Sequence, residues 1–103
     1  MKIVRVTYTA KSEYVAQNQL NIQAVMAELR KNNHPGINYQ ACLGSDGKSF
    51  THLAFFNTPQ DEKHLLDLPV FHHFQAELKA KGLETPPKQE LLTLVGSSVD
   101  PVH

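Results

Sequence analysis

Only one cysteine, Cys42, occurs in the 103 residues, so no internal disulfide staples the fold. A lone thiol suits a reducing compartment better than a secreted scaffold. An excess of one charge sign is also missing. The 10 basic residues are matched by 10 acidic ones scattered along the chain, which leaves no electrostatic footprint for a nucleic-acid backbone, and no nucleic-acid partner is expected. Long apolar runs are absent too. The segment MKIVRVTYTAKSEY breaks its short apolar stretch at Arg5 and is polar by Thr7, so neither a signal-peptide core nor a membrane span is expected, and the cytoplasm is the expected compartment. Nucleophile elbow, phosphate loop, dinucleotide fingerprint and clustered carboxylates are likewise missing from the sequence.

What is present is an ordinary globular balance, 41% hydrophobic and 19% charged, which excludes disordered, collagenous and coiled-coil chains. The length fits one domain, expected over residues 1–97, with 98–103 as a mobile polar C-terminal tail. A chain of this size buries only about two-thirds of its unfolded surface, so an open apolar sheet face would need a partner to cover it.

Residues Lys2 to Thr9, K-I-V-R-V-T-Y-T, read as a first strand. Ser12 offers an N-cap, and Val15, Leu20, Ile22, Val25, Met26 and Leu29 make an apolar stripe on a helix from Glu13 to Lys31. His34-Pro35-Gly36 breaks that helix. Ile37 to Leu43 and Ser49 to Asn57 are two strands joined by the Asp46-Gly47 turn signal, hence antiparallel neighbours. Thr58-Pro59-Gln60-Asp61 starts a helix to Leu66; Pro69 starts another to Lys81, closed by Gly82. After the extended linker Leu83 to Lys88, Glu90 to Gly96 reads as a fourth strand. The order β-α-β-β-α-β specifies an α+β, ferredoxin-like, four-stranded antiparallel sheet with helices on one face. Large side chains on both sheet faces, among them Leu53 and Phe55 opposite Phe50 and Phe56, predict that the face away from the helices is covered by a second copy, giving a homodimer.

This order of elements, with Pro35-Gly36, Asp46-Gly47, the strand end Phe55-Phe56 and the segment Leu68-Pro69-Val70-Phe71-His72-His73-Phe74-Gln75, resembles the dimeric α+β barrel superfamily. The branch it is most similar to is the antibiotic biosynthesis monooxygenase-like proteins, over roughly Lys2 to Ser97. The resemblance implies a homodimer whose sheets form a barrel, with a pocket in each subunit between helices and sheet. Members of the superfamily include cofactor-free oxygenases of quinol-like or polyketide aromatics and haem-degrading oxygenases. Where haem-degrading members use Asn, Trp and His, the matching positions look like Thr7, Phe56 and Gln75. All three differ and no iron ligand is left at the helical position, so haem degradation is not expected; a chain without cofactor is the expectation.

The six histidines do not suggest a metal site. His72 and His73 point about 100° apart on a helix, and His64 lies beyond a proline break; a surface His73-Glu77 pair is the expected fate. His52 is different because it sits mid-strand between Phe50 and Phe56. On the facing that the resemblance implies, Phe50, His52, Ala54 and Phe56 look toward the helices, joined by Arg5 and Thr7 from the first strand. A buried imidazole beside a guanidinium would stay neutral and serve as a base on a phenol or enol. The competing reading is a core histidine satisfied by backbone or by Tyr39. A two-residue Asp46-Gly47 turn puts Tyr39 and Ala41 on the face of His52, a three-residue loop Asn38, Gln40 and Cys42; the sequence leaves both open. The expected site therefore has His52 and Arg5 as catalytic residues and Thr7, Phe50, Phe56, Phe74 and Gln75 as contacts for a small aromatic ligand. The function expected is either cofactor-independent monooxygenation or non-catalytic binding and assembly.

Overall fold

Strand β1 (Lys2–Thr9) runs through the middle of a four-stranded sheet ordered β2-β3-β1-β4, with β2 (Ile37–Leu43), β3 (Ser49–Phe56) and β4 (Lys88–Leu92). Every neighbouring pair is antiparallel. The computed structural model describes residues 1–103, and its helices α1 (Val15–Asn32), α2 (Pro59–Leu66) and α3 (Pro69–Glu77) complete the expected α+β, ferredoxin-like arrangement.

Local chemistry sets most boundaries. The left-handed Asn33 ends α1, its amide reaching Arg30 and Leu29 carbonyls. At α2 the Thr58 hydroxyl accepts from the Asp61 amide at 3.2 Å while the Asp61 carboxylate accepts from the Thr58 amide at 2.9 Å, a reciprocal cap followed by Pro59. In the β2–β3 turn Asp46 accepts from the amides of Lys48 (3.0 Å) and Ser49 (2.8 Å), and Gly47 takes φ +77°. The Ser49 hydroxyl, which also donates to Asp46, and after it these two amides hold the carboxyl down at about 2. The resulting register pairs Tyr39 with Ala54 and Ala41 with His52. That is the parity of a two-residue turn, and it resolves the alternative left open above.

Several expectations are corrected. Ser12 caps nothing: residues Ser12–Tyr14 form a single 3-10 turn, and α1 starts at Val15, two residues later than expected and without a side-chain cap. Leu20 is exposed, because it lies two residues and therefore about 200° from buried Ile22. Its place on the buried stripe is taken by Asn18 and Asn21. Strand β4 starts two residues earlier than expected and stops at Leu92, where its pairing with Ile3 at the start of β1 ends. Helix α3 gives way after Glu77 to a π-helical turn, Leu78–Gly82, and Glu77 pairs with Lys81 at 3.0 Å instead of with His73.

The core packs between the helices and one sheet face, with Tyr8, Phe50, Phe56, Phe71 and Phe74 all buried. That face carries Val4, Val6 and Tyr8 of β1, since Val4 pairs with Ala54, Val6 with His52 and Tyr8 with Phe50. The far face carries Ile3, Arg5 and Thr7 with Leu53 and Phe55. At the C-terminus the His103 amide donates to the Pro35 carbonyl at 2.8 Å.

Candidate functional site

His52 is 4% exposed although it lines a cleft of about 720 Å³ between α3 and the linker that leads to β4. Both ring nitrogens have phenol partners: the Tyr8 hydroxyl lies 2.8 Å from Nε2 and the Tyr39 hydroxyl 2.6 Å from Nδ1. The pairing of β1 with β3 and of β3 with β2 brings the three side chains to one face, from positions far apart in sequence. Asn18, fully buried on α1, donates through Nδ2 to the Tyr8 hydroxyl at 2.8 Å. The result is a chain Asn18, Tyr8, His52, Tyr39, buried through its first three members and half-buried at Tyr39.

Aromatic rings exclude water from this chain. Phe50 stacks on Tyr8 with centroids 5.4 Å apart, and Phe74 stacks on His52 at 5.5 Å. Burial drives the imidazole down to about 4, so it is neutral at pH 7. Both phenols, Tyr8 and Tyr39, are pushed well above the ordinary tyrosine value by the same desolvation and keep their protons. No guanidinium takes part, contrary to expectation.

Val6, Tyr8 and His52 form the floor of the cleft, Phe71, Phe74 and Leu78 one wall. Leu83 to Pro87 make the other. The linker is held there by bonds from the Lys11 amide to the Gly82 carbonyl (2.7 Å) and from the Glu84 amide to the Thr9 carbonyl (2.8 Å). Gln75, Lys79 and Gln89 stand at the rim. An apolar slot with a few convergent polar groups suits a small planar molecule.

Of the residues read from the sequence, the structure brings together His52, Phe74 and Gln75. Arg5 and Thr7 lie elsewhere. The pairing of Val6 with His52 and of Tyr8 with Phe50 puts the even positions of β1 on the cleft face, so Arg5 and Thr7 project to the far side, where Arg5 forms an exposed ion pair with Glu90 of β4. Phe50 lies behind Tyr8 and does not line the cleft. Phe56 lines a different depression, with Lys2 and Thr58; four residues of strand put it about 13 Å from His52. Tyr8 and Asn18 were missed as site residues. The signal for Asn18 was an amide on the stripe Tyr14, Asn18, Ile22, Val25, where an apolar side chain belongs.

No protein-family model and no curated protein sequence matches the chain. Solved structures do. Rv0793 from Mycobacterium tuberculosis superposes with a TM-score of 0.77 at 12% identity, covering 95% of this chain and 98% of that one. A structure described as antibiotic biosynthesis monooxygenase gives 0.77 at 12% identity over 93% and 100% of the two chains. This is the antibiotic biosynthesis monooxygenase-like fold. SnoaB from Streptomyces nogalater, a cofactor-independent oxygenase solved as a mutant, has it too, with a TM-score of 0.68 at 16% identity over 96% of this chain and 98% of that one. The fold implied by the sequence resemblance is therefore the fold found. No helix of the chain is long and apolar enough to cross a membrane.

Proposed function

We propose that the cleft binds a small fused-ring aromatic bearing a phenol or enol, and that the protein is a cofactor-independent monooxygenase of quinol-like or polyketide aromatics. The observation that carries this reading is the neutral imidazole of His52 bonded to the Tyr8 hydroxyl at the floor of an apolar slot. A neutral base beside a bound phenol promotes its anion, and an electron-rich anion supplies the electrons that reduce dioxygen. The likeness of the fold to SnoaB supports the same chemistry.

A homodimer is part of the proposal. Leu53, Phe55 and Leu92 are only partly buried and stand with Ile3 on the sheet face that bears no helix. A second copy, packing the same face against it, would remove them from water. Sedimentation should give twice the 11.6 kDa chain mass at micromolar concentration, and Leu53→Asp should halve it. A monomeric wild type overturns the dimer without touching the cleft.

The test of the cleft uses 1-naphthol for binding and a naphthoquinol for oxygen uptake. Saturable 1-naphthol binding should weaken at least about tenfold in Phe74→Ala, the scale of one lost aromatic wall. Oxygen uptake above the uncatalysed rate should vanish in His52→Ala while the dimer persists. A second reading is favoured by the fact that both nitrogens of His52 already have partners: a non-catalytic ligand-binding or assembly homodimer, in which His52→Ala loses stability and there is no turnover to lose. Binding indifferent to Phe74→Ala refutes the cleft in either reading.

A further inference from the structure

The hydrogen bonds around His52 run in one direction, and a residue that does not line the cleft sets it. Asn18 Nδ2 donates to the Tyr8 hydroxyl, and the hydroxyl's other partner is His52 Nε2. Since Asn18 Nδ2 can only donate, Nε2 is the sole acceptor among the partners of the Tyr8 hydroxyl, and Tyr8 spends its proton on the imidazole. A ring nitrogen that accepts carries no proton, so the neutral imidazole must hold its hydrogen on Nδ1 and donate it to the Tyr39 hydroxyl, 2.6 Å away. The Tyr39 hydroxyl has no further side-chain partner to oppose that direction. Asn18 Oδ1 is buried and unpartnered. Turning the amide over would strand both N–H donors instead, and unpaired buried donors are rarer than underused carbonyls.

We infer that Asn18 is a positioning residue: acting through Tyr8, it holds His52 in the Nδ1–H tautomer and keeps the Nε2 lone pair directed at the hydroxyl that lines the cleft. The use made of this in the cleft rests on the function proposed above; the tautomer does not. When a ligand phenol docks, its O–H bond breaks and the proton joins the Tyr8 oxygen, while the proton already on Tyr8 passes to Nε2. The products are a phenolate and an imidazolium that still donates from Nδ1 to Tyr39. One proton leaves the ligand, one arrives on the imidazole, and Tyr8 ends as it began.

Long-range proton–nitrogen correlation on protein labelled with nitrogen-15 in histidine reads the tautomer directly, on the resting protein and without a substrate. His52 is identified by the loss of its signals in His52→Gln. The wild type should show a single form with Nδ1 protonated and Nε2 bare. In Asn18→Asp, at about pH 8, a carboxylate that only accepts takes the proton of Tyr8, whose oxygen must then accept from the imidazole. The protonated nitrogen should switch to Nε2. Tyr39→Phe should leave it on Nδ1, because Tyr8 still donates to Nε2. Should Asn18→Asp fail to fold, Asn18→Leu serves: a mixture of both tautomers supports the assignment. A wild type protonated on Nε2, an Asn18→Asp spectrum still protonated on Nδ1, or an Asn18→Leu spectrum identical to the wild type overturns it. Titration of the wild type with 1-naphthol reports separately whether the cleft binds a phenol, so the two ideas fail apart.

Discussion

Acidifying the protein from about pH 7 to about pH 4.5 should cost it about 2 kcal/mol of folding stability through one side chain, His52. In the fold the imidazole titrates at about 4 against an ordinary 6.5, because burial beneath Phe74 and beside Tyr8 disfavours its charged form. The unfolded chain takes up the proton as pH falls through 6.5 and the folded chain does not, so stability is full above 6.5 and drains between 6.5 and 4. Below 4 both states are protonated and the loss levels off near 3 kcal/mol, roughly the value of this difference in proton affinity. Domains of this kind are stable by about 5–15 kcal/mol, so the effect is large. The lowered carboxyls of Asp46, Asp61 and Asp67 act in the same sense but only below their ordinary 3.8, outside this window. Urea denaturation at a series of pH values reads the loss, and His52→Gln, which cannot titrate, should flatten the curve over the window. An equal slope in wild type and His52→Gln would refute the buried neutral imidazole.

Other perturbations separate packing, capping and site. Tyr8→Phe strips a hydrogen-bond partner from both buried Asn18 and buried His52 and should cost about 1–3 kcal/mol in urea denaturation; a loss below half of that would mean the chain contributes little. Thr58→Ala removes the cap of α2 and should cost about 1 kcal/mol, a fall of about 4–8 °C in Tm by calorimetry. Gly82→Ala would set a Cβ 2.3 Å from Cδ2 of buried Tyr14, and overpacking of about 1–3 kcal/mol should appear in the same scan. Arg5→Ala breaks only an exposed ion pair, so stability should move by no more than about 0.5 kcal/mol and 1-naphthol binding not at all. A loss of binding there would restore Arg5 to the site.

The elements were legible because their signals are local. Pro35-Gly36, Asp46-Gly47, Thr58-Pro59 and Pro69 each act on the backbone within a few residues, and the strands and helices between them fall where these breakers leave room. Which side chains meet is decided by pairing across the sheet, and that is where reading failed. The alternation Val4, Val6, Tyr8 against Arg5, Thr7, Thr9 does give the observed parity of β1; carrying a polar first-strand residue over from the resemblance gives the opposite one, and with it Arg5 and Thr7 in the wrong place. Tyr39 could be joined to His52 once the hairpin register was known, whereas Tyr8 required the pairing of β1 with β3, 44 residues apart in sequence. Nothing local distinguishes Phe56 from Phe50 as a wall: both face the helices, but the cleft lies beside α3 and its linker, beyond the reach of either ring.

Under the proposed function, two demands meet at His52. Burial keeps the imidazole neutral but also weakens it as a base, so a ligand must come close enough to pass its proton along a short hydrogen-bonded path. The structure separates the two by placing the imidazole under Phe74 and giving Tyr8 to the cleft alongside it, so that the phenol can act as the intermediary between ligand and base. A ligand that fills the slot removes more water from both groups, which strengthens every hydrogen bond along the chain. The same dryness makes any unpaired member costly, since Asn18, Tyr8 and Tyr39 each satisfy a neighbour that has no water to turn to. An intact chain therefore supports the fold and the proposed proton path at once, and a break at Asn18 or Tyr8 should damage both.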